Sequence, residues 1–422
     1  MARFQLLADW LAWQEQLHPR PIDLGLERIK SVYQQLKPST KTLPTITVAG
    51  TNGKGSSIAY LSAIYLAQGY RVGAYTSPHI LRYNERIQIN GVPVADDIIC
   101  AAFERIDAVR GDISLSYFEF STLAALLIFA EADLDVQLLE VGLGGRLDAV
   151  NIIDADAAIV TSIGIDHTEW LGNTLDEIAR EKAGVFRPEK PAVIADPSAP
   201  DALRHSALAI QARLFCSANQ FGYQKNHDNW SWLLANKPHY TELPSPAFAG
   251  EHQYRNASAV IMAVESMQSV LPVSLEAIRQ GVGQAKLQGR FQFFAGDVPV
   301  LLDVAHNPQA IHTLVEYLME RLPDVKIHAV FAMMKDKDIH TAIQLMSDRV
   351  AFWYCAPLNN PRAAPESLLR TYFAEENIDA VRGGYSSVAA TVDDVKNRAK
   401  PGELILVFGS FFLVSEYLAK FA

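Results

Sequence analysis

Short runs of apolar, often β-branched residues alternate along the chain with longer stretches whose apolar positions recur at helical spacing. Thr45–Gly50, Arg71–Ser77, Val136–Gly142, Ala157–Gly164 and Pro191–Asp196 predict strands. Helices are predicted over about Gly55–Gln68 and Phe118–Ala132. The opening MARFQLLADWLAWQEQL predicts an amphipathic helix. Such alternation builds βαβ units and a mostly parallel sheet. Between about Phe215 and Glu251 the pattern dissolves into aromatic, polar and proline-containing sequence. Helices return over about Tyr254–Val270 and Ser274–Ala285, and Ala285–Gln292 reads as a linker. Strands then recur within Val298–Pro308, Lys326–Met333, Ala351–Ala356 and Glu403–Ser410.

The class expected is α/β. An N-terminal, mostly parallel sheet domain containing a phosphate loop spans 1–285, a hinge linker 286–291, and a smaller Rossmann-like α/β domain 292–422. A length of 422 residues suits more than one core.

Charge and cysteine usage narrow the partners. A net charge of −10 argues against a protein that coats nucleic acid and leaves only a local basic cleft open. Cys100, Cys216 and Cys355 lie far apart, as buried thiols of a reducing compartment do. The first helix carries Asp9 and Glu15 and lacks a secretory pattern. The most apolar run, Leu123–Ala130, ends at Glu131, short of the roughly 20 residues that span a bilayer. The expectation is a soluble, cytoplasmic monomer with small-molecule partners, no nucleic acid and no membrane.

The loops after the predicted strands carry the candidate chemistry, where open parallel sheets gather ligands. VAGTNGKGSS, Val48–Ser57, joins a strand to a helix. Its spacing is not that of the common G-x-x-x-x-G-K-[ST] loop, because Gly50 and Gly53 are too close and Lys54 precedes Gly55. Strand-to-helix placement still aims backbone N–H groups and a helix dipole at an anion, with Lys54 adding a full charge. The plain alternative is a glycine-rich turn. Glu140 ends an apolar strand, where a carboxylate is costly unless paired or bound to a cation. Ser77 and His79 follow one strand, Asp166 and His167 another. Lys182 lies in a helical pattern and by itself reads as part of a solvated face. In the second half, Asp303, His306 and Asn307 repeat the strand-end arrangement. Asn256 sits early in a helix, and Arg290 lies in the linker, where an interdomain salt bridge is the plain alternative.

Taken together, GTNGKGS, TSPHI, EVGLGGRLDAVN, DHTEWLG, EKAGVFR, LDVAHNP and the late FGS resemble the folylpolyglutamate synthase family. The similarity is to its bacterial bifunctional form, also a dihydrofolate synthase, related to the Mur ligases. It runs from Ile22–Arg28 to the last helix. The resemblance implies that Thr51, Asn52, Gly53, Lys54, Gly55 and Ser56 hold ATP phosphates. Asn256, Arg290, Asp303 and His306 contact the nucleotide. Ser77, Glu140 and His167 surround Mg2+, and Lys182, once carbamylated, supports a second magnesium; K+ is a further implied cofactor. Ile22, Asp23, Leu24, Ser116, Tyr117, Phe118, Glu119, Leu147, Asp148 and Ala149 match segments that hold dihydropteroate or folate. Lys54, Lys182, His167 and Arg290 are the implied catalytic groups, and residues near Gln288–Arg290 the implied hinge. The implied activity is ATP-dependent amide formation between L-glutamate and dihydropteroate or a reduced folate, through an acyl phosphate. A monofunctional folylpolyglutamate synthase and a Mur-type cell-wall ligase are the alternatives. Ser56 stands where relatives often carry threonine, and Phe412 where some carry histidine; Phe412 receives no role.

Overall fold

Strands covered on both faces read as apolar stretches rather than as alternating ones. The computed structural model describes residues 3–20, 22–37 and 42–421. The first eight strands are β1 (Thr45–Ala49), β2 (Val72–Tyr75), β3 (Ile87–Ile89), β4 (Val92–Pro93), β5 (Val136–Glu140), β6 (Ala157–Val160), β7 (Pro191–Ile194) and β8 (Arg213–Cys216). They form one sheet in the order β4-β3-β2-β5-β1-β6-β7-β8. From β2 to β8 all neighbours run parallel, and β3 and β4 are antiparallel at one edge. β1, β2, β5, β6 and β7 are buried at every position, so their sequences are mostly apolar and do not alternate.

Helices cover this sheet. Tyr117–Glu131 is buried from Glu119 through Phe129. Its first turn is fixed by a reciprocal cap, in which the Ser116 hydroxyl accepts from Glu119 N and Ser116 N donates to Glu119 Oε2 at 2.8 Å. Trp10 of helix Leu7–Leu17 lies 5.8 Å from Phe103, and Phe103 lies 5.3 Å from Phe120, ring centre to ring centre. That cluster joins the first helix and helix Asp96–Arg110 to Tyr117–Glu131. Met1 and Ala2, part of the expected first helix, lie outside the described residues. Cys216 and Cys355 are buried as expected, while Cys100 is half-buried; all three are free thiols.

The stretch after Phe215 corrects the sequence reading. It is ordered as β9 (Phe221–Lys225), β10 (Trp230–Leu234) and β11 (Lys237–Leu243), an antiparallel sheet in the order β11-β10-β9. The turn between β10 and β11 is Ala235–Asn236, with φ of +49° and +60°, the left-handed pair of a tight hairpin. β11 is mostly exposed, so its sequence lacks an apolar alternation. Stacked Tyr223 and Tyr254 (5.8 Å) and stacked Trp232 and Tyr240 (5.7 Å) supply the packing instead.

The chain divides into two compact units, one of Met1–Ala247 with Gln253–Lys286, the other of Phe248–His252 with Leu287–Ala422. The second contains β12 (Gln292–Phe294), β13 (Val300–Asp303), β14 (Ile327–Phe331), β15 (Val350–Cys355), β16 (Val381–Arg382) and β17 (Leu404–Phe408). Its sheet runs β12-β13-β17-β14-β15-β16, parallel except for β12. Among the described residues no helix is long and apolar enough to cross a membrane.

Helix Leu275–Gln284 packs on helix Lys54–Gln68, the helix that follows β1. Gly281 permits this, because a Cβ there would lie 2.5 Å from the Ile64 Cα. Gly281→Ala should therefore force the two helices apart and cost about 1–3 kcal/mol. A shift of the urea midpoint to lower concentration checks this; an unchanged midpoint refutes it.

Candidate active site

The loop after β1 is shaped by a second loop, the one after β6. Thr51 N donates to Ser162 O at 2.8 Å, and Asn52 N to Ser162 Oγ at 3.0 Å. The Thr51 hydroxyl donates to Gly164 O at 3.1 Å and accepts from Gly164 N at 2.9 Å. Thr161 Oγ1 donates to Asn52 O at 2.6 Å. Gly53 then takes φ of +86°, a left-handed conformation that turns the chain into helix Lys54–Gln68. Asn256 backs that turn, since a Cβ on Gly53 would meet its Oδ1 at 2.8 Å. Lys54 Nζ donates to Gly50 O at 3.1 Å and Thr51 O at 3.2 Å, folding over the turn. Ser56 is buried, and Gln253 Nε2 donates to its hydroxyl at 3.4 Å. Thr161, Ser162 and Gln253 escaped the sequence reading. Their partners lie more than a hundred residues away, and the only local signal is a hydroxyl pair after an apolar strand.

One strand over, Glu140 ends β5 beside β1, and its Oε2 accepts from Ser77 N at 3.2 Å. His167 has φ of +54° and opens the short helix Thr168–Leu171, with Asp166 Oδ1 accepting from its N–H. Lys182 is buried in helix Leu175–Ala183. Burial first, and then the Lys54 ammonium, pushes its amine down to about 7, while Asp166 and Asp148 pull the other way. The fold thus draws Lys54, Lys182, Asp148 and Asp166 into one electrostatic neighbourhood. A residue that sequence reads as a solvated lysine is among the most enclosed.

The donors present suit a hard divalent cation. Ser77 and Glu140 offer oxygen, and His167 offers one nitrogen. Among the described residues no group of three or more His, Cys, Asp or Glu side chains could hold a metal by itself. A sparse, oxygen-rich donor set is what Mg2+ uses when it keeps water and shares phosphate oxygens.

The third group lies by the start of helix Tyr117–Glu131. Glu119 Oε1 accepts from Arg28 at 3.2 Å, and Arg28 also pairs with Asp23 at 2.8 Å. His18 Nε2 is 3.0 Å from Asp23 Oδ2. Phe118 lies 5.8 Å from the buried Tyr75 ring. Ile22, Leu24 and Leu147 lie in loops and are half-buried, and Ala149 is buried. Asp148 is buried too, and its oxygens accept from Leu143 N at 2.8 Å and Val150 N at 3.1 Å. Its carboxylate therefore builds the turn from Leu143 to Val150.

In the second unit, Asp303 ends β13 and is buried. It accepts from Phe291 N at 3.0 Å and Ala305 N at 2.7 Å. Burial pushes its carboxyl up, against the Arg290 charge and those N–H groups. Arg290 lies over the Phe411 ring at 5.1 Å, and the His306 ring is 5.6 Å from Phe411. Asn307 caps helix Pro308–Arg321 through Ala310 N.

Two α/β units, each with polar groups gathered at the carboxyl ends of parallel strands, define a protein of the Mur ligase type. The Mur ligase middle domain model matches residues 48–264, and the Mur ligase glutamate ligase domain model matches 289–411. The chain is 42% identical to the dihydrofolate synthase/folylpolyglutamate synthase of Escherichia coli (strain K12), over 98% of this chain and 94% of the relative. It is similar to the structure of E. coli FolC in complex with DHPP and ADP, with a TM-score of 0.91, 41% identity, and 98% and 97% of the two chains covered. A Yersinia pestis bifunctional folylpolyglutamate synthase/dihydrofolate synthase complexed with AMPPNP and Mn ion gives a TM-score of 0.89 at 43% identity, covering 98% of each chain. The chain belongs to the dihydrofolate synthase/folylpolyglutamate synthase family of Mur ligases.

Burial pushes the Asp148 carboxyl from its ordinary 3.8 up to about 7, against backbone donors from Leu143, Val150 and Gly142 and the Lys54 charge. Between those two values the folded chain holds a proton that the unfolded chain has lost. The stabilisation is complete below about pH 4 and fades as pH rises to 7. At most it amounts to about 4 kcal/mol. Asp148→Asn cannot ionise, so its unfolding free energy should fall less than that of the parent between pH 4.5 and 7.5. Parallel urea titrations at both pH values test this, and identical slopes would refute it.

Proposed function

We propose that this protein is an ATP-dependent ligase that adds L-glutamate to dihydropteroate, giving dihydrofolate, and to reduced folates, giving folylpolyglutamates. The observation that carries the reading is the Gly53 turn with Lys54 folded over it, one strand from the Glu140–Ser77 pair. Family membership over nearly the whole chain supports the substrate pair.

A carboxylate is a poor electrophile, so amide formation needs activation. The acceptor's carboxylate oxygen attacks the γ-phosphorus of ATP, the bond to the bridging oxygen breaks, and ADP leaves. The glutamate amine then attacks the acyl carbon of the acyl phosphate, loses a proton, and phosphate departs. Phosphoryl transfer depends on positioning and neutralised charge more than on covalent help from the protein. The backbone N–H groups at the start of helix Lys54–Gln68 would hold phosphate oxygens, with Lys54 swinging from the Gly50 and Thr51 carbonyls onto the phosphates. Thr51, Asn52, Gly55 and Ser56 complete this cradle, and Asn256 supports it from behind. Arg290, Asp303 and His306 would serve the nucleotide from the second unit.

Ser77, Glu140 and His167 would hold magnesium, which when bound neutralises phosphate charge. Lys182 has the chemistry for carbamylation, because an amine lowered to about 7 is substantially neutral and can add CO2. The carbamate would supply a carboxylate for a second magnesium; a potassium ion is the further proposed cofactor. Asp23, Ser116, Tyr117, Phe118, Glu119 and Asp148, with Ile22, Leu24, Leu147 and Ala149, would form the acceptor side.

Phosphate release from ATP should require L-glutamate together with dihydropteroate or tetrahydrofolate, and omission of either co-substrate should abolish it. Release with neither present would contradict the reading. Lys54→Ala should lower kcat at least ~100-fold with both acceptors. Glu140→Gln should raise the magnesium concentration for half-maximal rate about tenfold or more; an unaltered requirement removes Glu140 from the cation site.

A further inference from the structure

Arg86 closes the turn Tyr83–Arg86 just before β3, and only 9% of its surface is exposed. Its Nε donates to His79 Nδ1 at 2.9 Å. Its guanidinium lies 5.6 Å from the ring centres of Tyr83 and Tyr117. A guanidinium has donors only and stays charged, so His79 must accept through a bare Nδ1 and brings no negative charge. Among the described residues no carboxylate pairs with Arg86. Glu85, on the same turn, and Glu119, on the helix of Tyr117, are engaged elsewhere. Glu85 accepts from the backbone N–H of Ile80, Leu81 and Arg82, and Glu119 accepts from Ser116 N and Arg28. Ring faces offset part of the cost of enclosing a cation, and a buried charge is otherwise met by an anion.

Topology says which anion. The Arg86 carbonyl accepts from Thr76 N at 2.9 Å, fixing Arg86 beside the end of β2. β5, with Glu140 at its end, lies between β2 and β1. The phosphate turn follows β1 and is therefore about two strand spacings, roughly 10 Å, away. The Arg86 backbone is thus separated from the turn after β1 by β5, the strand that ends in Glu140. The surroundings of the guanidinium are flat rings, Tyr83 and Tyr117, with Phe118 following directly in the helix. Aromatic faces beside a guanidinium suit a planar aryl carboxylate better than an aliphatic amino acid.

We propose that Arg86 anchors the carboxylate of the aromatic acceptor acid, gripping it from the β2 side while the phosphates approach from the β1 side. The proposal rests on the ligase reading above and names the group that receives its acid substrate. Arg86 would then account for the preference for an ionised acid over a neutral analogue of the same shape.

The test is a binding cycle without ATP. Pteroate and its neutral carboxamide are titrated by fluorescence quenching into the full-length protein, Arg86→Met and Arg86→Lys. The parent should bind the acid about 10- to 100-fold more tightly than the amide. Arg86→Met should bind both alike. Arg86→Lys should retain a reduced preference, because an ammonium cannot meet His79 and two carboxylate oxygens together. With dihydropteroate, the KM for the acid should rise by a similar factor in Arg86→Met, with the KM for ATP changed less than about twofold. Circular dichroism checks folding, and Arg86→Lys carries the comparison if the methionine variant does not fold. A preference that persists in a folded variant, or a loss confined to ATP, overturns the anchor. Failure of the parent to form any glutamate amide overturns the ligase reading, whereas turnover with an unaltered acid preference removes the anchor alone.

Discussion

The hydrogen-bonded junction between the loops after β1 and β6 is the constraint from which the site follows. Thr51 and Asn52 are held by Ser162, Gly164 and Thr161, so the turn at Gly53 has little freedom of its own. β1 and β6 are adjacent and parallel, and their ends arrive at the same edge. A backbone fixed there before ligand arrives has already met the ordering cost that a flexible loop would meet on binding. Lys54 and the first amides of the helix, the proposed phosphate donors, inherit their direction from this junction.

Enclosure then sets the charge states. Burial first, and then the nearby Lys54 ammonium, disfavours protonation of Lys182. Asp148, nearby, is pushed toward its neutral form by the same enclosure although it accepts several N–H groups. In so poor a dielectric each charge is worth more than at a surface, whether it attracts or repels.

The parallel sheet was legible because β1, β5, β6 and β7 are covered on both faces and so read as apolar runs. The carboxyl ends of β5, β2, β6 and β13 were legible for the same reason, which put Glu140, Ser77, Asp166 and Asp303 in view. Two features were not. β9 to β11 are held by paired aromatic rings and a left-handed Ala235–Asn236 turn, and β11 is largely exposed, so no apolar period announces them. Arg86 is the other. In sequence it is one arginine in a polar stretch, and its meaning comes from Tyr117, thirty-one residues on, and from the absence of a paired acid among the described residues. Lys182 shows the same limit, since helical spacing gives a face but not what lies against it. Asp148 shows another: a carboxylate in a glycine-rich loop looks like a ligand group, yet it also holds its own turn.

The small antiparallel sheet has a consequence for how these molecules behave at high concentration. β11 is one of its two outer strands, mostly exposed, and carries Lys237, Pro238 and Glu242. Pro238 has no N–H to offer a neighbour, and the pairing of β10 with β11 shifts register on either side of Trp232. A charged, irregular border with a missing donor is a poor template for a further strand. The protein can thus present the β11 margin to solvent without inviting polymerisation through it.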